Sequence, residues 1–289
     1  MQFFVSLLYS VFVFLKFDRN YNNNMKDLKG KVVWITGASS GIGRELSIAF
    51  AKEGAFPVLT ARNIENLNQV KKCCLKWTSK CWVQPADLSK TEKLNKLVED
   101  VLENTGGQID LFVNDAGVSQ RSWAKETSVE IDRRIMELDF FSAVTLTKLI
   151  LPVMLKNKSG HIIVISSISG KFGFPMRTAY TASKHALQGF FESLRTELVN
   201  DNINVTIVSP GRIRTDISLH AITKDGLSYK KMDKGQARGM SADLCADKII
   251  KGIKKNKKEI LVGGNELLMV YIHRYLPWLY YKIVTRIGN

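Results

Sequence analysis

An α/β fold is what this sequence predicts: a doubly wound parallel sheet in a single domain, with helices on both faces. Three observations predict it. Short apolar runs alternate with longer segments whose apolar residues recur at helical spacing. The short runs are continuously apolar rather than alternating, as in strands buried on both faces. The residues of most chemical character lie just after those runs, where open parallel sheets bind their ligands.

The 289 residues suit one large domain with a sizeable core. A hydrophobic fraction of 45% with 24% charged residues describes a globular chain, not a disordered one. The net charge of +15 is spread along the chain, with one cluster at Lys251, Lys254, Lys255, Lys257 and Lys258. No zinc finger or aromatic RNA-binding signature accompanies it, so a nucleic-acid partner is not expected. The lysine cluster reads as a solvated helix end. Cys73, Cys74, Cys81 and Cys245 form no metal-ligand spacing, and four free thiols fit a reducing, cytoplasmic compartment. No metal site is expected.

In chain order, residues 31–36 form the first buried strand. Gly37-Ala38-Ser39-Ser40-Gly41-Ile42-Gly43 then makes a glycine-rich turn, and a helix follows through Leu46, Ile48, Ala49 and Phe50. Strand, glycine turn and helix together expose backbone N–H groups to a pyrophosphate. The second strand, 56–61, ends in Ala61-Arg62. An acidic residue there would hold the ribose 2′-hydroxyl of NAD, whereas a cation suits the 2′-phosphate of NADP. Arg44 is expected to add to the same pocket. The third strand, 81–85, leads to Asp87, which is placed to accept from an adenine amino group or to cap the following turn. A helix over 92–103 and a strand over 109–113 lead to Asn114-Asp115-Ala116-Gly117, whose small residues let backbone approach a ligand.

Residues 129–156 read as one long helix with Asp139 among its apolar positions, where a carboxylate is costly unless paired. The strand 160–165 delivers Ser166 and Ser167, and a helix to about residue 199 carries Tyr180 and Lys184. Four residues make about one helical turn, so the phenol and the ammonium share a face. An ammonium beside a phenol stabilises the phenolate. Strands at 205–208 and 259–262 and a helix opening at Ser241 complete a Rossmann-type alternation. The polar stretch 212–240 is expected to be a substrate loop.

Together these residues resemble the classical short-chain dehydrogenase/reductase family over about 28–262. Thr36 to Gly43 matches its T-G-x-x-x-G-x-G turn, and Asn114-Asp115-Ala116-Gly117 resembles N-N-A-G with Asp115 departing. Ser167, Tyr180 and Lys184 fit its catalytic trio, and Pro210-Gly211 followed by Thr215 fits its nicotinamide-side motif. The strings 117–122 and 182–187 look like the dehydrogenase/reductase member 7-like branch. The resemblance implies NADP(H) bound by Thr36, Gly37, Ser39, Ser40, Gly41, Ile42, Gly43, Arg44, Arg62, Asp87 and Leu88. It extends that set to Asn114, Ala116, Gly117, Tyr180, Lys184, Pro210, Gly211, Ile213 and Thr215. Asp139 stands where the family usually carries an asparagine that holds a relay water.

The expected activity is reversible hydride transfer between the nicotinamide and a carbonyl or alcohol, the substrate being a hydrophobic or lipid-related ketone. Ser167 would hold the carbonyl oxygen and Tyr180 would act as general acid, supported by Lys184 and Asp139. The alternative is a non-catalytic NADP-binding or membrane-scaffold protein, motivated by Asp139 and the hydrophobic ends. Relatives often pair through their long helices, which implies a homo-oligomer.

Three parts are expected along the chain: a hydrophobic segment and linker at 1–24, the catalytic domain at 25–264, and an aromatic, basic extension at 265–289. Residues 3–15, apolar apart from Ser6 and Ser10, would reach about 20 Å as a helix, short of a bilayer core. The first segment therefore reads either as an anchor that keeps the domain cytoplasmic or as sequence upstream of a start at Met25. In the extension, aromatics interleave with cations around Pro277. This suits a membrane surface, with a pocket lid or oligomer contact as the other reading.

Overall fold

The computed structural model describes residues 27–287, so the hydrophobic opening segment lies outside the described residues. Seven strands form one parallel sheet: β1 (Val32–Thr36), β2 (Phe56–Thr60), β3 (Trp82–Val83), β4 (Leu111–Asn114), β5 (Gly160–Ile165), β6 (Ile203–Pro210) and β9 (Glu259–Val262). Their order is β3-β2-β1-β4-β5-β6-β9. β1 runs in register with β2 from Val32↔Phe56 to Thr36↔Thr60, and pairs on its other side with β4. The winding reverses between β1 and β4, which opens a crevice beyond their carboxyl ends.

Alternation along each strand divides its residues between two cores. Val33 and Ile35 of β1 face one core; Val32 and Trp34 face the other. The first core lies under α1 (Gly41–Lys52), α2 (Ile64–Cys74) and α8 (Ala242–Lys254). The second lies under α3 (Leu94–Thr105), α5 (Ser142–Asn157) and α6 (Thr178–Glu197). With both faces covered, the strands carry no solvent side, and this is why their apolar runs are unbroken. Trp34 is fully buried against Phe112, with ring centroids 5.0 Å apart, and its indole N–H donates to Thr60 Oγ1 at 2.8 Å.

The long helix expected at 129–156 comes in three parts. α4 (Val129–Met136) passes through a π turn at Glu137–Phe141 into α5. The wider turn carries Asp139, which lies buried. By length and composition Val129–Asn157 could cross a membrane. Here Ala143, Leu146, Ile150 and Met154 pack into the second core instead.

The stretch 212–240 is more ordered than a plain loop. β7 (Ile213–Arg214) pairs with β8 (Met240–Ser241), closing its ends, and α7 (Lys234–Ala237) lies between them. After β9 come α9 (Leu268–Tyr275) and α10 (Pro277–Ile287). Pro277 opens the second of these, a position where a missing N–H is harmless.

Candidate active site

Two adjoining cavities that share part of their lining run along the crevice as a groove. One end is lined by Gly37, Ser39, Ser40, Gly41, Ala61, Arg62, Asp87, Leu88 and Ala116. The other is lined by Ser167, Tyr180, Lys184, Pro210, Gly211 and Ile213. Ile42, Asp115, Gly117 and Thr215 border both ends.

The glycine turn has the form of an anion cradle. Gly37 and Gly41 lie at φ +69° and +57°, backbone that a side chain would strain. A Cβ at Gly43 would meet Gly37 O at 2.5 Å and Asp115 Oδ2 at 2.6 Å. Ser40 caps α1 without a side-chain hydrogen bond, and the first turn holds no acid. The Gly43 N–H goes to the Asp115 carboxylate; the other N–H groups of that turn and the positive end of its dipole are left for an anion such as a pyrophosphate. Beneath the turn, Thr36 Oγ1 accepts from the N–H groups of Asp115 and Ala116 at 3.1 and 3.2 Å. Asn114 donates to Thr147 Oγ1 at 3.3 Å. Thr36, Gly43 and Asn114 therefore support the groove from behind rather than lining it.

Arg62 lines the outer end, where an NADP 2′-phosphate is expected. Arg44 does not: its guanidinium turns to Glu45, the adjacent residue on α1. Asp87 caps the turn that follows it. It lines the groove, and its Oδ1 accepts from Ser89 N and Ser89 Oγ at 3.2 and 2.8 Å. Burial raises the Asp87 carboxyl, but Ser89 and the charges of Arg62 and Lys90 outweigh it and hold the group below the usual range.

At the inner end, β5 delivers Ser167, whose Oγ accepts from Ser169 N at 3.1 Å. That bond fixes the side chain while its own O–H stays available to a carbonyl oxygen. Tyr180 and Lys184 are both buried, with the lysine Nζ 5.7 Å from the phenol ring centroid. Lys184 Nζ donates to Ile165 O at 3.2 Å.

Asp139 lies behind the lysine. Its Oδ1 accepts from Val118 N at 2.8 Å, and Oδ2 accepts from Ser183 Oγ at 3.2 Å, 3.9 Å from Lys184 Nζ. Burial pushes its carboxyl up, opposed by Lys184 and those two donors. A second carboxylate, Asp115, faces the same lysine. It keeps one side on the groove, but its carboxylate is enclosed against Gly43, and burial pushes it up to about 7 against the pull of Lys184 and the Gly43 N–H.

An unfolded aspartate titrates at about 3.9. Through Asp115 the folded chain holds an extra proton between about 4 and about 7, so stability falls as pH rises through that window. Asp115→Asn is expected to flatten this slope and to raise the melting temperature at neutral pH and above, as measured by thermal unfolding across pH.

Several residues reach the site without a sequence signal. Gln120 Oε1 accepts from Ala179 N at 2.8 Å and Tyr180 N at 3.4 Å, fixing the start of α6. Arg121 and Arg177 line the inner cleft and converge on Asp233 Oδ2, at 3.0 Å from Arg121 Nε and 3.1 Å from Arg177 Nη2. Burial raises the Asp233 carboxyl, but the two guanidiniums hold it below the usual range. This ion cluster ties the 212–240 stretch to the cleft wall. Arg121 and Asp233 are 112 residues apart, a pairing no local pattern encodes.

Comparison with known proteins points the same way. A family model described as short chain dehydrogenase matches residues 31–225. The Drosophila melanogaster dehydrogenase/reductase SDR family protein 7-like is 43% identical over 264 residues, 90% of this chain and 81% of that protein. Dehydrogenase/reductase SDR family member 7B of Mus musculus is 39% identical over 263 residues, 89% of this chain and 81% of that protein. A solved short-chain dehydrogenase from Streptomyces avermitilis superposes with TM-score 0.75 at 27% identity, covering 90% of this chain and 100% of its own. L-sorbose reductase from Gluconobacter frateurii, complexed with NADPH and L-sorbose, superposes with TM-score 0.72 at 27% identity, covering 82% and 96%. With a parallel sheet, a glycine cradle and a buried tyrosine–lysine pair in one groove, this chain belongs to the short-chain dehydrogenase/reductase family, oxidoreductases that act on CH–OH groups with a nicotinamide cofactor.

Proposed function

We propose that the protein is an NADP(H)-dependent reductase of a hydrophobic or lipid-related ketone or aldehyde. It would work as a homo-oligomer in the cytoplasm or on the cytoplasmic face of a membrane. One observation carries the reading: Arg62 lines the outer end of the same groove whose inner end holds Ser167, Tyr180 and Lys184. A cation at the end of β2 favours a 2′-phosphate over a bare ribose. Ile168, Phe174 and Ile217 give the inner cleft apolar walls suited to a hydrophobic substrate.

A bound nicotinamide supplies or receives the hydride at the substrate carbon. Ser167 donates a hydrogen bond to the carbonyl oxygen and so sets its position. Tyr180 passes the proton to that oxygen as general acid. Lys184 keeps positive charge beside the phenol and favours the phenolate left behind. Asp139 holds that ammonium in place from the side away from the groove. Gln120 fixes the turn of helix on which Tyr180 sits.

Side-by-side consumption of NADPH and NADH over ketones, aldehydes and quinones tests the reading. Turnover with NADPH preferred is expected. Arg62→Ala should raise the KM for NADPH about ten- to a hundredfold, the worth of a charged hydrogen bond, and leave that for NADH nearly unchanged. NADPH binding without turnover of any substrate would instead support the non-catalytic alternative.

A further inference from the structure

The α9–α10 hairpin has two unlike faces. Its inner face belongs to the site. Tyr280 and Val284, one turn apart, pack on Ile168 and Phe172 in the segment that follows Ser167. Tyr280 Oη donates to Gly173 O, and its ring lies 5.6 Å from that of Phe172. This contact fixes how the hairpin sits relative to the cleft.

The outer face is covered by nothing among the described residues. Trp278, Tyr281, Lys282 and Arg286 follow the i, i+3, i+4, i+8 spacing of one helical stripe, and all are exposed. On α9 the exposed stripe continues through Tyr271, Arg274 and Tyr275. Trp278 is 66% and Tyr275 73% exposed, far more than large aromatics usually are. From Leu267 to the end of the chain there is no aspartate or glutamate.

The charge pattern decides between occupants. A second copy meeting this face across a two-fold axis would set these cations against their own equivalents, with no hairpin acid to neutralise them. An acidic bilayer surface neutralises them directly. Tyrosine and tryptophan also favour the headgroup level, where a ring is half buried and its polar tip stays wet.

We propose that the outer face of the α9–α10 hairpin docks the protein onto an anionic lipid surface. In this arrangement Trp278, Tyr281 and Tyr275 sit at headgroup depth and Arg274, Lys282 and Arg286 lie over acidic headgroups. The inner face then holds the Ser167 segment near that surface. Docking does not depend on which substrate is turned over, so it stands or falls separately from the proposed activity.

The test uses the full chain and vesicles of phosphatidylcholine with or without phosphatidylserine, with brominated phosphatidylcholine as quencher. The Trp278 signal is the difference between the unaltered chain and Trp278→Phe. Quenching of that signal on phosphatidylserine vesicles is expected, with affinity falling as salt is raised. The triple change Arg274→Gln, Lys282→Gln, Arg286→Gln should lower vesicle affinity on the order of a hundredfold, from about 1 kcal/mol for each cation near the surface. If that variant fails to fold, the salt dependence and quenching of the unaltered chain still decide. The proposal is overturned if vesicles carry the protein while Trp278 stays unquenched, because another segment then holds it. Equal, salt-insensitive affinity for both vesicle types overturns it too. So does lipid-free self-association that buries Trp278.

Discussion

Replacing Tyr180 by phenylalanine is expected to lower turnover by about 10²–10⁴-fold, the usual worth of a positioned general acid. Cofactor affinity should hardly change. The ring is buried on α6, and its backbone N–H is held by Gln120, so loss of one hydroxyl leaves the wall of the groove intact. Single-turnover NADPH oxidation beside equilibrium NADPH titration separates the two quantities. A matching loss of binding would mean that the phenol's part is structural.

Replacing Lys184 by methionine is expected to have the largest effect on stability, about 3–5 kcal/mol at neutral pH, as when one partner of a buried ion pair is removed. Asp139 would then be a fully buried carboxylate with only Val118 N and Ser183 Oγ to satisfy it. Its carboxyl already lies above the usual value because of burial, and loss of the ammonium raises it further. The folded state then binds the proton more tightly than the unfolded chain. Stability is therefore kept at acid pH and lost as pH rises through the carboxylate range. In the Asp139→Asn background the same lysine change should cost much less, a coupling that denaturant titrations of the double-mutant cycle measure. An equal cost in both backgrounds would show that the two side chains are not energetically linked.

Much of this arrangement is legible in the sequence because it is local. The strands at 160–165 and 259–262 are read to the residue, since an apolar run between turn residues has few alternatives. The glycine turn is legible for the same reason: its conformational demands fall on neighbouring positions. What is not legible depends on pairing across long separations. The sequence offers Arg44 to the cofactor pocket, and the pairing of its guanidinium with the neighbouring Glu45 is seen only in the structure. Gln120 and the start of α6 meet across 59 residues, and the Arg121–Asp233–Arg177 cluster joins three separate segments. The π turn at Glu137–Phe141 leaves no mark on the apolar spacing, which predicts an unbroken helix. Asp115 stood out only as a departure from a motif. Its importance depends on Lys184, which another helix brings to it.

In the proposed reaction the groove brings a nicotinamide hydride donor and the Ser167–Tyr180–Lys184 group to one carbonyl. The deciding measurement uses NADPH deuterated at the transferable C4 position, with product from a panel of hydrophobic ketones and aldehydes analysed by mass spectrometry. One deuterium on the new carbinol carbon is expected with the unaltered chain, and almost none with Tyr180→Phe. Tight NADPH binding with no deuterium in any product, or equal transfer by both proteins, would rule that reaction out.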